Sequence, residues 1–170
     1  MKALNKISNL IEKLAKYLAI LGGLVLCLIA LMVLISIVGR AGIPIGLSSI
    51  KGDFELVEVG TAFAILAFMP FAQLNRSHAE VSFFTEKLGK FANKAIDFIV
   101  DFIMLIIASI LAWRLTLGAI EKYNNGEVSF ILQFPLWFAY ASALIALYIW
   151  VLVAILIVLN SMFSKMEQST

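Results

Sequence analysis

Two carboxylates stand at the start of the second long apolar segment of the chain. Glu55 and Glu58 open residues 54–74, which are otherwise mostly apolar. Residues three apart share one face of a helix, so both carboxylates can act on the same partner. A charge costs about 2.5–3.5 kcal/mol at the centre of a membrane span and less towards its end. A proton pathway needs carboxylates through the middle of the membrane, so this position disfavours catalysis or proton transport by these two acids.

Two arginines are the predicted partners of these acids. Arg40 and Arg114 come near the ends of the first and third apolar segments, and we expect them at a depth similar to that of Glu55 and Glu58. Ion pairs at the outer interface would then fix the helices relative to one another, or the acids would receive a partner protein there. The alternative is that both carboxylates face only water or lipid headgroups. The sequence leaves both interpretations open.

Few other residues have types suited to chemistry. Asp97 and Asp101 are predicted to be solvated caps at the start of the third span. His78 is the only histidine, and a structural hydrogen bond is a better interpretation of it than a pH switch. Cys27 is the only cysteine and is expected to be a packed core thiol. One histidine and one cysteine cannot supply a bis-His haem, a disulfide or a cysteine metal cluster within the chain, so we predict no catalytic, cofactor or metal residue.

The elements that position these residues are membrane spans. The sequence is 62% hydrophobic and 14% charged, whereas soluble domains average about 45–50% and 25%. The net charge of +2 is too small to suggest a nucleic-acid partner. About 20 apolar residues cross the hydrocarbon layer as a helix. We therefore predict an all-α protein with one membrane domain over residues 1–170 and four spans, at 17–39, 54–74, 96–117 and 135–159.

The distribution of basic residues predicts the orientation of the chain. Nine of the thirteen Lys and Arg residues lie before the first span, between the second and third, or after the fourth. Basic residues accumulate in short cytoplasmic loops. Both termini and the middle loop are therefore expected in the cytoplasm.

Two segments beside the spans are amphipathic. Residues 4–18 and 84–95 carry apolar side chains at helical spacing, opposite lysines that include Lys87, Lys90 and Lys94. We predict helices in the headgroup plane, where each basic residue gains about 1 kcal/mol near anionic lipid. The alternative is that each segment simply extends the neighbouring span.

The fourth segment begins with residues typical of a membrane interface. Pro135 suits the first turn of a helix, where its missing N–H costs nothing. Trp137 and Tyr140 are expected in the outer aromatic belt. Below them a stripe of small residues predicts close approach of another helix, at Ala139, Ala143 and Ala146.

The order and spacing of these motifs resemble those of a known family. Arg40 closes the first span, "FEL" opens the second, His78 follows about 23 residues later, and "PLWFAY" opens the fourth from Pro135 to Tyr140. This pattern is similar to that of the small membrane subunit, Q, of TRAP (tripartite ATP-independent periplasmic) transporters, over nearly the whole chain. His78, Pro135, Trp137 and Tyr140 would then be structural motif residues.

The resemblance implies a subunit of the bacterial inner membrane that is neither an enzyme nor a transporter alone. Its partners would be a large elevator-type membrane subunit, M, which carries the sodium and substrate sites, and a periplasmic substrate-binding protein, P. The small subunit would belong to the static scaffold and help to dock P. The cargo would be an organic acid, such as a C4-dicarboxylate or, on overall likeness, sialic acid. The alternative from the residues is a small, self-assembling, proton-coupled exporter of four spans, which would need an acid in mid-span.

Overall fold

The chain folds into four long helices. A computed structural model describes residues 2–75 and 90–166 and contains α1 (Lys2–Ala41), α2 (Asp53–Leu74), α3 (Lys90–Asn125) and α4 (Trp137–Met166). A short 3-10 turn, Ile43–Ile45, follows α1. Each long helix contains a stretch long and apolar enough to cross a membrane. The predicted all-α fold with four spans is confirmed.

The helices are longer than the predicted spans. Helix α1 has 40 residues and is therefore about 60 Å long, twice the thickness of the hydrocarbon layer. No Gly or Pro interrupts residues 4–18, so this amphipathic segment continues the first span without a break, as the alternative interpretation expected. The other amphipathic segment, 84–95, lies mostly outside the described residues, and its last part is the beginning of α3.

Helices α2 and α4 occupy the middle of the arrangement. Helix α1 packs mainly on α2, α2 packs on α4, and α4 packs on α3, while α1 touches α4 more lightly. Small residues allow α1 and α2 to approach closely. A Cβ atom on Gly22 of α1 would lie only 3.0 Å from the Cβ of Ala67 on α2. Ala67 and Ala146 are fully buried and form one cluster with Leu18. The small-residue stripe predicted on the fourth span is confirmed at Ala143 and Ala146, both of which are buried.

A second cluster joins α3 to α4 and contains a buried polar contact. Ala108, Ala112, Leu147 and Trp150 form it. Trp150 donates its indole N–H to Oε1 of Gln73 on α2 at 2.5 Å, in a buried site. The Nε2 atom of Gln73 is buried and has no hydrogen-bond partner. This contact shows that the face of α2 that carries Gln73 meets α4.

Much of the helix surface stays apolar and exposed. In the most apolar 18-residue stretch of α1 only 11% is buried, whereas 39% of the corresponding stretch of α4 is buried. Cys27 is exposed on α1, so its prediction as a core thiol is wrong. Helix α1 buries a single stripe that includes Leu18, Gly22 and Ser36, and Cys27 lies off that stripe.

Candidate functional site

The first turn of α2 is tied to the end of α1. Asp53 is the first residue of α2. Its Oδ2 accepts hydrogen bonds from Nη2 of Arg40 at 2.6 Å and from Oγ of Ser36 at 2.5 Å. Ser36 and Arg40 are one turn apart on α1 and therefore share a face. Ser36 is buried, and this charge-assisted contact closes the α1–α2 hairpin.

Arg40 therefore has a different partner from the one predicted. We expected Arg40 to pair with Glu55 or Glu58, whereas the structure pairs it with Asp53. Successive residues are 100° apart around a helix, so Glu55 lies about 200° from Asp53 and faces away from α1. The sequence contains a signal for this pair. Asp53 is the first residue of α2, and a short linker joins it to α1, which ends with Arg40 in its last turn.

The linker itself is tightly packed. A Cβ atom on Gly39 would lie 2.3 Å from the carbonyl oxygen of Ser48. The linker backbone thus passes directly over the last turn of α1, and only glycine leaves room for it.

Glu55 holds the loop between α3 and α4. Its two carboxylate oxygens accept the backbone N–H groups of Ile131 at 2.6 Å and of Leu132 at 3.0 Å. Gly52, with φ of 75°, lies beneath Leu132, whose Cγ would be 2.5 Å from a Cβ on that glycine. The α3–α4 loop, residues 126–136, is therefore folded back over the start of α2.

The α3–α4 loop is also ordered by its own hydrogen bonds. Val128 and Pro135 form an isolated antiparallel bridge. The Ser129 N–H donates to the Phe134 carbonyl at 2.9 Å, and the Phe134 N–H donates to the Ser129 hydroxyl at 3.3 Å. Gln133 has a φ of 57°, which is uncommon for a residue other than glycine. At the tip of the loop the Phe130 side chain is 92% exposed.

An ion pair fixes the base of the same loop. Lys122 donates from Nζ to Glu127 at 2.6 Å, and the Asn125 side-chain amide donates to Glu127 at 3.2 Å. The hydrogen bond from Lys122 is the main cause that lowers the pKa of the Glu127 carboxyl group below its usual value. Glu127 therefore stays ionised at neutral pH and keeps this contact.

The aromatic motif residues of the fourth span form a cluster beside the α3–α4 loop. Pro135 lies two residues before α4, rather than in its first turn as predicted, and its carbonyl accepts the Phe138 N–H at 3.1 Å. Trp137 contacts Tyr123 edge-to-face at 5.7 Å and stacks on Phe138 at 4.1 Å. Tyr140 packs beside the backbone of α3 at Gly118.

Glu58 is not part of these tethers. It is exposed, and within the described ranges it forms no hydrogen bond or ion pair. Its side chain lines an open groove of about 690 Å³ between α2, α3, α4 and the α3–α4 loop, together with Ala62, Leu115, Tyr140 and Ala143. The groove is mainly apolar, and the charged side chains on its walls are Glu55, Glu58 and Lys122.

Arg114 lies much deeper than predicted. Helix α3 continues to Asn125, because residues 115–125 contain no proline and the chain turns only at Gly126, with φ of 62°. Arg114 is therefore about 16 Å from the end of α3, whereas Arg40 is in the last turn of α1. The two arginines are not at a similar depth, and the predicted four-residue charge cluster does not form.

Several other predicted residues fall elsewhere. His78 and Lys87 lie outside the described residues, and of Lys90 and Lys94 the structure describes only the backbone, in the first turns of α3. Asp97 and Asp101 are not caps, because α3 begins at Lys90, and Asp101 is buried. Over the described part of the chain, no three His, Cys, Asp or Glu side chains are grouped as metal ligands.

Comparison with protein families identifies the chain. Residues 29–164 match the model of the DctQ component of tripartite ATP-independent periplasmic transporters. The chain belongs to the DctQ family. No curated protein and no solved structure matched significantly. The resemblance to the Q subunit is thus confirmed at family level, and this DctQ protein is a TRAP transporter component that crosses the inner membrane several times. The matched region contains the Arg40–Asp53 pair, Glu55, Arg114 and the α3–α4 loop.

Proposed function

We propose that this DctQ protein is the non-catalytic small subunit of a TRAP transporter, which scaffolds the large elevator-type subunit M and helps to dock the periplasmic binding protein P. The family match over residues 29–164 is the observation that carries the proposal. The charges at the start of α2 fit a scaffold, because Asp53 and Glu55 are engaged in contacts that join helix α1 and the α3–α4 loop. Neither lies at the centre of a span, where a proton-coupled exporter would need an acid.

The proposed orientation places the α3–α4 loop in the periplasm. The excess of basic residues near both termini and in the 76–94 region supports a cytoplasmic position for the other end of the helices. The α3–α4 loop and the first turn of α2 would then face P. A loop held by Glu55 and by its own hydrogen bonds presents Phe130 in one fixed position, which suits recognition by a docking protein.

The exposed apolar helix faces supply the surface for M. Helices α1 and α3 each pack on one main neighbour and leave large apolar side chains on their outer sides. Contact with M would cover part of this surface and lipid the rest. Close packing and polar contacts drive association of spans, because lipid is as apolar as the helices themselves.

The proposed cargo is an organic acid taken up with sodium, either a C4-dicarboxylate or sialic acid. This part of the proposal follows from the family alone. In this scheme M carries the sodium and substrate sites, so the residues of the small subunit do not select the acid.

Purification with partners tests the proposed role. The tagged chain is extracted from its native host in mild detergent, and its companions are identified by mass spectrometry. We expect a large multi-span subunit, M, in stoichiometric amount. Purification of the chain as a homo-oligomer without any such subunit would contradict the proposal.

Reconstitution separates the scaffold from the exporter. Vesicles that contain the chain alone should take up no organic acid with either a sodium or a proton gradient, whereas vesicles with the chain, M and P should show sodium-dependent uptake. Empty vesicles are the control. Saturable uptake by the chain alone would support the exporter instead.

Cysteine labelling tests the orientation. With Cys27 replaced by alanine, single cysteines at Asn125 and Thr170 are exposed to a membrane-impermeant reagent. We expect labelling at position 125 from the periplasmic side and at position 170 only after the membrane is opened. The reverse pattern would invert the proposed topology.

A further inference from the structure

In the proposed topology Arg114 lies inside the third span, nearer its outer end than its inner end. It is nine residues before Tyr123, which contacts Trp137 in the aromatic cluster, and this spacing corresponds to about 13 Å along α3. Several turns of α3 thus separate Arg114 from the outer aromatic cluster. The packing of α3 on α4 agrees with this depth, because Ala112 lies beside Leu147 in a buried cluster, well below the start of α4 at Trp137.

The guanidinium group leaves the helix on the side away from α4. Ala108 and Ala112 form the buried face of α3. Arg114 is about 200° around the helix from Ala112, and it is exposed. The neighbouring positions on this outer face, Ile107 and Leu117, are exposed and apolar. Nowhere in the described ranges does Arg114 have a hydrogen-bond or ion-pair partner.

The lipid headgroups are too far away to solvate this charge. An arginine side chain extends roughly 6–7 Å from its Cα, about half of the distance to the aromatic cluster. Side chains of a helix also lean towards its N-terminus, which here is the Lys90 end. In that direction the span extends to Ile96, about 27 Å away. A charged side chain within a span is costly to insert, and such residues are usually found paired.

We infer that Arg114 pairs with a carboxylate on a membrane span of the M subunit. The inference rests on the proposed scaffold function and adds the place and the chemistry of the contact. The planar guanidinium donates two parallel hydrogen bonds to a carboxylate, a geometry that lysine cannot reproduce. A partner that brings an Asp or Glu to the outer face of α3 at this depth satisfies Arg114, and the apolar residues around it allow the two spans to pack closely.

The test measures how much M is retained by tagged variants when both subunits are co-expressed. Arg114→Leu is suited to lipid and should insert normally, but it would leave the carboxylate of M unpaired. We expect at least tenfold less M with Arg114→Leu, an intermediate loss with Arg114→Lys, and less than a twofold change with Leu117→Ala. Wild-type retention by Arg114→Leu, or an equal loss with Leu117→Ala, would overturn the inference.

A charge exchange identifies the partner group. Each Asp and Glu in the spans of M is changed to Arg and combined with Arg114→Glu. Restored assembly in one combination is the expected result, and failure of every combination would exclude a carboxylate partner. If the wild-type chain itself retains no M, the proposed function fails. If both the wild-type chain and Arg114→Leu retain M, only the present inference fails.

Discussion

The buried contact between Trp150 and Gln73 allows a quantitative prediction. Trp150→Phe removes the donor, so Oε1 of Gln73 joins its Nε2 as a second buried polar atom without a partner. An unsatisfied buried group costs about 1–3 kcal/mol, although hydrogen bonds between membrane helices average nearer 0.6 kcal/mol in double-mutant cycles. Gln73→Leu leaves the indole N–H unpaired but removes an amide that is only half satisfied. With both partners replaced by apolar groups, the polar penalty disappears.

We therefore expect the double variant to be more stable than the sum of the two single changes by about 1 kcal/mol. For a chain of this size, that corresponds to about 2–4 °C in Tm. The assay is thermal unfolding in detergent followed by fluorescence-detected size exclusion. Trp113→Phe is the matched control, because Trp113 is 63% exposed on the outer side of α3. Additive single effects, or equal effects of Trp150→Phe and Trp113→Phe, would refute the reasoning.

Three further predictions concern the end of the molecule that carries the α3–α4 loop. Gly39→Ala must displace the backbone of the α1–α2 linker and should therefore lower Tm. Gly23→Ala is the control, because the nearest neighbour of its new Cβ would be 3.9 Å away, and it should leave stability unchanged or raise it by up to about 1 kcal/mol. Equal Tm values for the two variants would count against the close approach of the linker to Gly39. Arg40→Glu should weaken the α1–α2 hairpin, so that limited proteolysis cleaves the linker faster. Adding Asp53→Arg to this variant should restore resistance to proteolysis. Rescue by adding Glu55→Arg instead would show that the Arg40–Asp53 pairing is wrong. Glu55→Ala should speed amide hydrogen exchange in the α3–α4 loop but not in α4, and unchanged exchange in the loop would show that the carboxylate does not order it.

The four spans could be predicted because their signal is local. A window of about 20 apolar residues has few alternatives to a membrane helix, and small residues at helical spacing indicate close packing wherever the partner lies. Ala143 and Ala146 were placed at a helix contact for this reason. The ends of the helices were harder to predict from the sequence. Polar, amphipathic residues continue α1 and α3 beyond the apolar windows, and no proline marks a boundary there, so the depth of Arg114 was misjudged.

The contacts of individual charges required the three-dimensional arrangement. Whether Asp53 or Glu55 meets Arg40 depends on where α2 begins and on how it is rotated. The partners of Glu55 are backbone N–H groups, which every residue except proline carries, so no residue type in the sequence points to them. Cys27 was misplaced for a related reason, because an apolar helix does not itself show which of its sides meets its neighbour.

Asp53 and Glu55 act in opposite directions from a single turn of α2, one towards α1 and the other towards the α3–α4 loop. The linker can accommodate the insertion or deletion of one residue just before Asp53, because the relative positions of Asp53 and Glu55 on α2 would not change. The same event between Asp53 and Glu55 would rotate one carboxylate by about 100° relative to the other, so that only one of the two tethers could form at a time. Length variation among related chains should therefore concentrate in residues 43–51 and avoid residues 53–55.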